Sequence, residues 1–227
     1  MTFRDIFPDE LIKNSRKVGE GAFGEVFLIS GDKKSVLKVV PFDDNLPVNG
    51  EDQTSTEDII SEVCITSALS DLRKTSRNQC AGFVELRSVH VFRGRYPELL
   101  LELWDQYDEE KESENERPDG LPVDQLYIAL EFNNGGRDLE KFIFKNPCQA
   151  LQAWLQVVHS LAVAEVGLRL EHRDLHWGNV LISETEAKTD EFTISGDTYQ
   201  VETGGVETTI IDFYFILFYY FTCLSVE

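Results

Sequence analysis

His172-Arg-Asp-Leu-His-Trp-Gly-Asn-Val180 places an acid, Asp174, five residues before an amide, Asn179, and continues into an apolar run. A carboxylate and a carboxamide on one irregular loop, held by a short strand, can point at the same small volume. Such a loop can hold both a reacting hydroxyl group and a metal-bound phosphate. Asp174 and Asn179 are therefore the first candidate site residues of this chain.

The composition limits the classes of partner that the chain can bind. Of its 227 residues 42% are apolar, which is enough to bury a core in one or two domains. Its formal net charge is -20, from 41 acidic and 21 basic residues. Non-specific binding to a nucleic-acid backbone depends on Lys and Arg that neutralise phosphates, so direct nucleic-acid binding is not expected. An acidic surface attracts cations, and a basic protein or peptide is the expected partner.

The cysteines and the N-terminal residues indicate the cellular compartment. The four cysteines are widely separated and form no Cys-x-x-Cys pair, which favours free thiols in a reducing compartment over a zinc site. Residues 1–17 are charged throughout and contain no apolar segment of the kind found in secretory signals. We therefore expect an intracellular protein.

The first half of the chain shows strand patterns around a glycine turn. Residues 15–30, SRKVGEGAFGEVFLIS, predict a strand, a turn and a second strand, and residues 35–42, SVLKVVPF, predict a third. Further extended segments are expected within residues 83–94 and 126–132. The acidic run between them, residues 105–120, is expected to be a solvated loop, with a docking surface as the alternative.

The second half shows mainly helical patterns. Residues 133–144, NNGGRDLEKFIF, predict a glycine pair followed by a short helix, and apolar residues recur at spacings of three and four in residues 147–170. The expected fold is α+β, with an antiparallel β N-terminal lobe and an incomplete, mainly helical second lobe. The expected segments are an N-terminal extension (1–16), the first lobe (17–132), the second lobe (133–213) and an atypical apolar tail (214–227).

The glycine turn GEGAFG, residues 19–24, is by itself a weak signal, since Gly-x-Gly-x-x-Gly also occurs in dinucleotide-binding turns and in ordinary hairpins. A dinucleotide turn requires a helix after it, whereas here Glu25 to Ile29 continue as a strand. Gly19, Gly21 and Gly24 remove side chains that would block the approach of a ligand to the backbone. We therefore predict a glycine hairpin that can lie over a triphosphate.

Three charged residues can complete a phosphate site. Lys38 lies inside an apolar strand, where a lysine is rarely buried without a partner, although an ordinary edge lysine is the alternative. Glu62, on a helix that Thr56 can cap, can supply the counter-charge. Asp212 follows the β-branched run TTII and can coordinate Mg2+, although a lone acid after a strand is more often a turn residue.

The ordered set GEGAFGEV, VLK, SEV, HRDLHWGN and IIDF resembles the eukaryotic protein kinases. More narrowly, HRDLHWGNVLI and LEFNNGGRDLE resemble the haspin kinases, and the long gap between Asn179 and Asp212 is similar to that family's extended insertion. The resemblance covers nearly all of residues 17–213. It implies a bilobal protein-kinase fold, the use of ATP and Mg2+, and phosphorylation of a protein. Members of the family phosphorylate a threonine near the N terminus of a histone tail in mitosis, which implies a histone-tail substrate and a nuclear or chromosomal location.

The resemblance also implies a role for each matching residue. Asp174 would be the catalytic base, Lys38 the phosphate lysine with Glu62 as its partner, and Asn179 and Asp212 the metal ligands. Residues of the glycine turn that would lie over the nucleotide are Val18, Gly19, Glu20, Gly21, Ala22, Phe23, Gly24, Glu25 and Val26. Residues matching the adenine hinge and its neighbourhood are Asn133, Gly135 and Asp138, the last close to the ribose. His172 is expected to support the loop rather than act as a base, and Arg173 to steady it.

The pattern departs from the family after Asp212. Tyr214 stands where most kinases have glycine and where haspin-like kinases usually have threonine. The following YFILFYYFTCLSVE contains no Ala-Pro-Glu, so a truncated kinase with weak or no activity is expected for this chain. This apolar run is too short to span a bilayer, which takes about 20 residues, and no membrane association is expected.

Two other functions remain open at this point. Small-molecule phosphotransferases of the aminoglycoside or choline kinase type share the Asp-Leu-His-x-Gly-Asn loop, but Arg173, the glycine hairpin and NNGGRDLE argue against them. A non-catalytic fragment that keeps only the fold is the second alternative. The retained Lys38, Glu62, Asp174 and Asp212 argue against that.

Overall fold

The computed structural model describes residues 2–21, 23–31 and 34–213, together with the backbone of 217–218. These residues divide into two units, each described by itself. The first comprises Met1–Val63 and Leu86–Asn134, and the second comprises Cys64–Glu85 and Gly135–Glu227. Residues 64–85 are in the second unit, and the predicted lobe boundaries stay predictions.

A five-stranded antiparallel sheet forms the first unit. Its strands are β1 (Arg16–Gly21), β2 (Gly24–Ile29), β3 (Ser35–Phe42), β4 (Leu86–Arg93) and β5 (Leu126–Asn133). They lie in the order β1-β2-β3-β5-β4. Successive side chains of a strand point to opposite faces, so Leu37 and Val39 are buried on one face while Lys38 lies on the other. The three strands predicted around the glycine turn are confirmed.

Four α-helices begin in the first unit. They are α1 (Phe3–Ile6), α2 (Asp9–Ile12), α3 (Thr56–Asp71) and α4 (Glu98–Lys111). Phe3, Phe7 and Ile12 are buried in the same hydrophobic cluster as Phe27 and Tyr127 of the sheet. Residues of the segment 1–16 therefore contribute to the core of this unit.

Helix α4 corrects a second prediction, because it includes the first part of the acidic run that was expected to be a loop. Leu100, Leu103 and Trp104 recur at spacings of three and one and are buried on one side of α4. Glu109 lies on the opposite side, and it is exposed, as are Asp108 and most of the other acidic residues of the helix. This is the pattern of an amphipathic helix, which the dense charge obscured. The irregular part of the run begins at Glu112.

The second unit contains one long helix among the described residues, α5 (Pro147–Leu168). The side chain of Asn146 accepts a hydrogen bond from the N–H of Gln149 at 2.9 Å, and Pro147 occupies the first turn, so the helix begins at a well-capped end. Ala153 of α5 packs in a cluster with Val180 and Ile182. The long helix is therefore confirmed.

The strands of this unit exceed those predicted. They are β6 (Arg137–Asp138), β7 (Leu170–Glu171), β8 (Val180–Glu184), β9 (Thr189–Ile194), β10 (Asp197–Glu202), β11 (Val206–Ile210) and β12 (Leu217–Phe218). They pair antiparallel as β11-β8-β6, β10-β9 and β12-β7. The prediction of a short helix directly after Gly136 is wrong, because strand β6 lies there and pairs with β8. The predicted α+β class is confirmed.

Helix α5 is long and apolar enough to cross a membrane by length and composition, as judged over the described residues. This is weak evidence, because the core helix of a soluble protein passes the same test. One side of α5 packs on β9 and β11, while Leu151 and Trp154 are exposed. The absence of membrane association stays a prediction.

Candidate active site

The glycine turn joins β1 to β2 and carries two different constraints. A Cβ atom on Gly24 would lie 2.5 Å from the carbonyl oxygen of Val39, so the close packing of β2 on β3 requires glycine there. A Cβ atom on Gly21 would meet nothing within 4 Å. The space beside the Cα atom of Gly21 is therefore open, and the role of this turn over phosphates stays a prediction. Ala22 lies outside the described residues.

Lys38 and Glu62 form the predicted ion pair. The Nζ of Lys38 donates to Glu62 Oε1 at 2.9 Å, and the two side chains are 24% and 12% exposed. Strand β3 holds Lys38 opposite Val26 of β2, and Ile59 packs α3 against the sheet through Val40. The ammonium therefore has a fixed position and remains partly accessible on the face that bears Val26.

Asn133 ends β5, and its Oδ1 accepts a hydrogen bond from Arg87 Nε at 2.6 Å. Gly135 and Gly136 belong to the second unit, where packing requires them. A Cβ on Gly136, which has φ of 104°, would lie 2.1 Å from the carbonyl oxygen of Ile182. A Cβ on Gly135 would lie 2.8 Å from the side chain of Leu181. The glycine pair thus lets the chain pass close to β8.

Asp138 is tied locally by Lys141, whose Nζ and backbone N–H each donate to its carboxylate at 2.9 Å. Burial acts to raise the pKa of Asp138, but these hydrogen bonds outweigh it and keep the pKa below its ordinary value. Asp138 is therefore held as a carboxylate, which is the form able to accept hydrogen bonds from hydroxyl groups.

The loop between β7 and β8 brings Asp174 and Asn179 together. The N–H of Asp174 donates to the carbonyl of His172 at 2.7 Å, and Arg173 between them has φ of 59°, so the chain makes a tight left-handed turn. The side chain of Asn179 is buried and its Nδ2 donates to the carbonyl oxygen of Asp174 at 3.0 Å. The Asn179 side chain thus links the two residues that stand five positions apart, and it holds the loop between them.

His176 caps the end of this loop. Its Nδ1 accepts a hydrogen bond from the N–H of Gly178 at 3.0 Å and begins the 3-10 turn Trp177–Asn179. The sequence gives His176 no role beyond marking the subfamily. The structure assigns it a structural one, and the His-x-Gly spacing within HWG was the available signal.

Asp212 is placed beside the loop by its neighbours. The N–H of Ile211 donates to the carbonyl of Asn179 at 3.0 Å, and buried His172 donates through Nε2 to the carbonyl of Ile211 at 3.2 Å. Phe213 is buried with its ring centroid 5.8 Å from that of His172. Asp212 itself is exposed with φ of 63°. His172 therefore acts as a support of the loop, in agreement with its predicted role.

The candidate metal ligands fit Mg2+. The cross-link from Asn179 uses its amide nitrogen, which leaves its Oδ1 oxygen as a candidate ligand atom, and the carboxylate of Asp212 is the second candidate. Among the described residues no group of three or more His, Cys, Asp or Glu side chains could hold a metal by itself. Two oxygen ligands from the protein are nevertheless the usual number for Mg2+ that also binds phosphates and water.

The structure thus assembles the predicted residues as two groups. Lys38, Glu62 and the glycine turn lie in the first unit, and Asp174, Asn179 and Asp212 in the second. The sequence analysis missed Lys17. This lysine lies in β1, two residues before Gly19, and its side chain is fully buried. A lysine inside the strand pattern of SRKVGEG was the only sequence signal for it.

Comparison with known proteins identifies the family. Residues 1–216 match the family model described as "Haspin like kinase domain". The chain is 44% identical over 214 residues to the serine/threonine-protein kinase haspin of Mus musculus, covering 93% of this chain and 28% of that protein. It is 36% identical over 221 residues to the haspin homolog of Drosophila melanogaster, covering 94% of this chain and 39% of that protein. It is 37% identical over 200 residues to the haspin homolog of Arabidopsis thaliana, covering 87% of this chain and 33% of that protein.

The chain therefore spans about a third of the length of these relatives. Because the family model matches nearly all of it, and the geometry of the glycine turn, the Lys38–Glu62 pair and the Asp174 loop agrees with that match, this chain belongs to the haspin-like kinase family.

Proposed function

We propose that this chain provides the ATP site and the phosphoryl-transfer residues of a serine/threonine protein kinase. The observation that supports this function best is the 3.0 Å bond from Asn179 Nδ2 to the carbonyl of Asp174. The bond uses the amide nitrogen and a backbone oxygen. The Asn179 amide oxygen therefore stays available as a metal ligand, and the Asp174 carboxylate stays available as a base.

In this proposal the first unit binds the nucleotide. The open backbone at Gly21 covers the triphosphate, and the ammonium of Lys38 neutralises charge on the α and β phosphates. Glu62 keeps the ammonium in position, and its place on α3 makes the position of that helix part of the mechanism. Asn133 of this unit contacts the adenine, and Asp138, which belongs to the second unit, contacts the ribose.

The second unit provides the chemistry. Asp174 orients the substrate hydroxyl and accepts its proton, the hydroxyl oxygen forms a bond to the γ-phosphorus, and the bond from that phosphorus to ADP breaks. Asn179 and Asp212 would hold Mg2+, which when bound neutralises the charge that develops on the phosphate oxygens. Catalysis then depends mainly on position and electrostatics.

The proposed substrate is a basic protein segment, and a histone tail is the substrate that the family resemblance favours. The net charge of -20 supports this, because an acidic surface concentrates and steers cationic segments. A nuclear or chromosomal location follows from the same proposal, and imaging of the tagged protein through mitosis would test it.

Nucleotide binding tests the site directly. We expect Mg2+-ATP to raise the melting temperature of the chain, and Lys38→Met or Asp212→Asn to remove that rise, because each substitution deletes a charge that binds phosphate or metal. Matched controls are Lys13→Met and Asp197→Asn, two exposed positions, which should keep it. No rise for the unaltered chain would favour a non-catalytic fragment.

Transfer of labelled phosphate tests the substrate class. We expect labelling of a histone-tail peptide, and loss of labelling with retained nucleotide binding in Asp174→Asn. Labelling of an aminoglycoside or choline instead of the peptide would contradict the protein-kinase proposal and support the small-molecule alternative.

A further inference from the structure

Lys17 is buried beneath the glycine turn with an unusual set of partners. Its ammonium pairs with Glu20 at 2.5 Å and with Glu25 at 2.8 Å, and its side chain is fully buried. The rings of Trp104 and Tyr107, on α4, lie with their centroids 5.3 Å and 4.2 Å from Nζ. A buried charge of this kind requires paired carboxylates and further hydrogen bonds to offset its lost hydration.

A β-bulge explains how Lys17 and Glu20 face the same side. The register of β1 against β2 shifts between Lys17 and Gly19, so that Lys17 lies opposite Phe27 and Glu20 lies opposite Glu25. Residues 25 and 27 share one face of β2, and the extra residue brings Lys17 and Glu20 to that face. It is the face opposite to that of Val26 and Lys38.

Residues 113–115, which we call the brace, donate hydrogen bonds to both carboxylates. Ser113 Oγ shares the Glu20 oxygen that pairs with Lys17, and it accepts a hydrogen bond from Lys17 Nζ at 3.1 Å. Ser113 Oγ and the N–H of Glu114 donate to Glu20 at 2.6 Å and 2.9 Å. Asn115 Nδ2 donates to Glu25 Oε1 at 2.9 Å and to the carbonyl oxygen of Gly21 at 3.1 Å. The brace thus contacts both side chains and the backbone of the glycine turn.

The charge balance explains why the brace is needed. Two carboxylates face one ammonium, so the cluster carries excess negative charge that donors must satisfy. Burial raises the pKa of Glu25 above its ordinary value. Burial acts in the same direction on Glu20, but the bonds from Lys17, Ser113 and Glu114 outweigh it and lower the pKa. The donors of the brace therefore help to keep the carboxylates ionised and the cluster closed.

The brace leaves the Cβ position of Gly21 open. Asn115 donates to the carbonyl oxygen of Gly21, while a Cβ atom at that residue would meet no atom within 4 Å. A glycine-rich turn otherwise loses much conformational entropy when a ligand orders it. Tying its backbone before binding reduces that loss, which is the physical basis of pre-organisation.

We propose that the brace, residues 113–115, pre-organises the glycine turn for nucleotide binding, with Lys17 as a positioning residue. This inference rests on the proposed function, because it assumes that the turn binds a nucleotide. It assigns a role to an acidic segment whose sequence indicates only solvent exposure.

The double variant Ser113→Ala with Asn115→Ala tests the brace. We expect amide hydrogen exchange at residues 19–24 to become about tenfold faster without nucleotide, since several hydrogen bonds are lost. We expect the Kd for Mg2+-ADP to rise about tenfold as well. Gln106→Ala, an exposed polar position on α4, is the matched control and should change neither quantity. Ser113→Thr combined with the native Asn115 keeps the hydroxyl and should behave as the unaltered chain.

Unchanged exchange in a folded double variant would overturn the brace. Faster exchange with unchanged Kd would overturn its positioning role. If the unaltered chain bound no Mg2+-ADP, the proposed function would fail and the positioning role with it. The exchange measurement would then still decide whether residues 113–115 hold the turn.

Discussion

Lys17 and Lys38 lie on opposite faces of one sheet, and each pairs with glutamate. The side chain of Lys17 is fully buried and pairs with two carboxylates from its own hairpin, whereas that of Lys38 is 24% exposed and pairs with Glu62 from a helix. The first arrangement encloses the charge and fixes the backbone around it. The second leaves the ammonium within reach of an added anion. Enclosure therefore distinguishes a lysine that holds the turn from one that can bind phosphate.

The largest effect is expected at the enclosed lysine. Lys17→Met leaves the buried carboxylate of Glu25 and the partly buried carboxylate of Glu20 without their cation, and breaking a buried pair in this way costs about 3–5 kcal/mol. Urea unfolding followed by circular dichroism would measure the loss in the free energy of unfolding.

A matched variant separates charge from packing at the same position. In Lys17→Met with Glu20→Gln and Glu25→Gln no buried charge remains, and replacement of a whole buried ion cluster is often neutral. Most of the lost stability should return. A triple variant as unstable as Lys17→Met would contradict the comparison, since the side chain of Lys17 would then matter through its packing against Trp104 and Tyr107.

A smaller effect on stability is expected at the accessible lysine. Lys38→Met removes one partly exposed ion pair, for which about 1–2 kcal/mol is reasonable. Nucleotide binding should nevertheless be lost, whereas Lys17→Met at a temperature where it is folded should weaken binding without abolishing it. Isothermal titration with Mg2+-ADP would measure both, and the opposite ranking of affinities would reverse the roles assigned to the two lysines.

The smallest effect is expected at an exposed cation close to the brace. Arg117 pairs with Asp105 at 2.7 Å and with Asp119 at 2.5 Å on the surface, and Arg117→Ala should cost less than about 1 kcal/mol. The hydrogen bond from Arg117 lowers the pKa of Asp105, so its contribution is present above the ordinary aspartate pKa and is lost as pH falls through the lowered value. NMR titration should show the pKa of Asp105 rising in Arg117→Ala. An unchanged titration would mean that the pair is not formed in solution.

The sequence predicted the candidate site residues better than the residues that hold them in place. Lys38, Glu62, Asp174 and Asn179 occupy strands, helices or loops whose local patterns were readable. The predicted contact between Lys38 and Glu62 is formed, and the bond from Asn179 to the Asp174 carbonyl is an addition from the structure. The burial of Lys17 was not predictable, because a lysine beside glycines ordinarily faces solvent and the groups that enclose it are distant in sequence. Trp104 and Tyr107 lie on α4, and Ser113 is 96 residues away.

The missed elements of the fold have other causes. Helix α4 was obscured because its exposed side is so acidic that Leu100 and Leu103 did not stand out as a stripe. Strands β9 and β10 were read only as part of an insertion, although they pair locally with each other, and the pairing of β11 with β8 spans that insertion. The predictions for Tyr214 and most of the apolar tail concern residues outside those that the structure describes.

The two glycines of the turn offer a way to recognise decay in related sequences. A chain that had ceased to bind nucleotide would still need glycine at position 24, because a larger residue there collides with the carbonyl of Val39. Position 21 faces no such obstacle, and drift could fill it with alanine or serine at little cost to folding. A homologue that keeps glycine at position 24 but has a side chain at position 21 is therefore expected to have kept the fold and lost nucleotide binding.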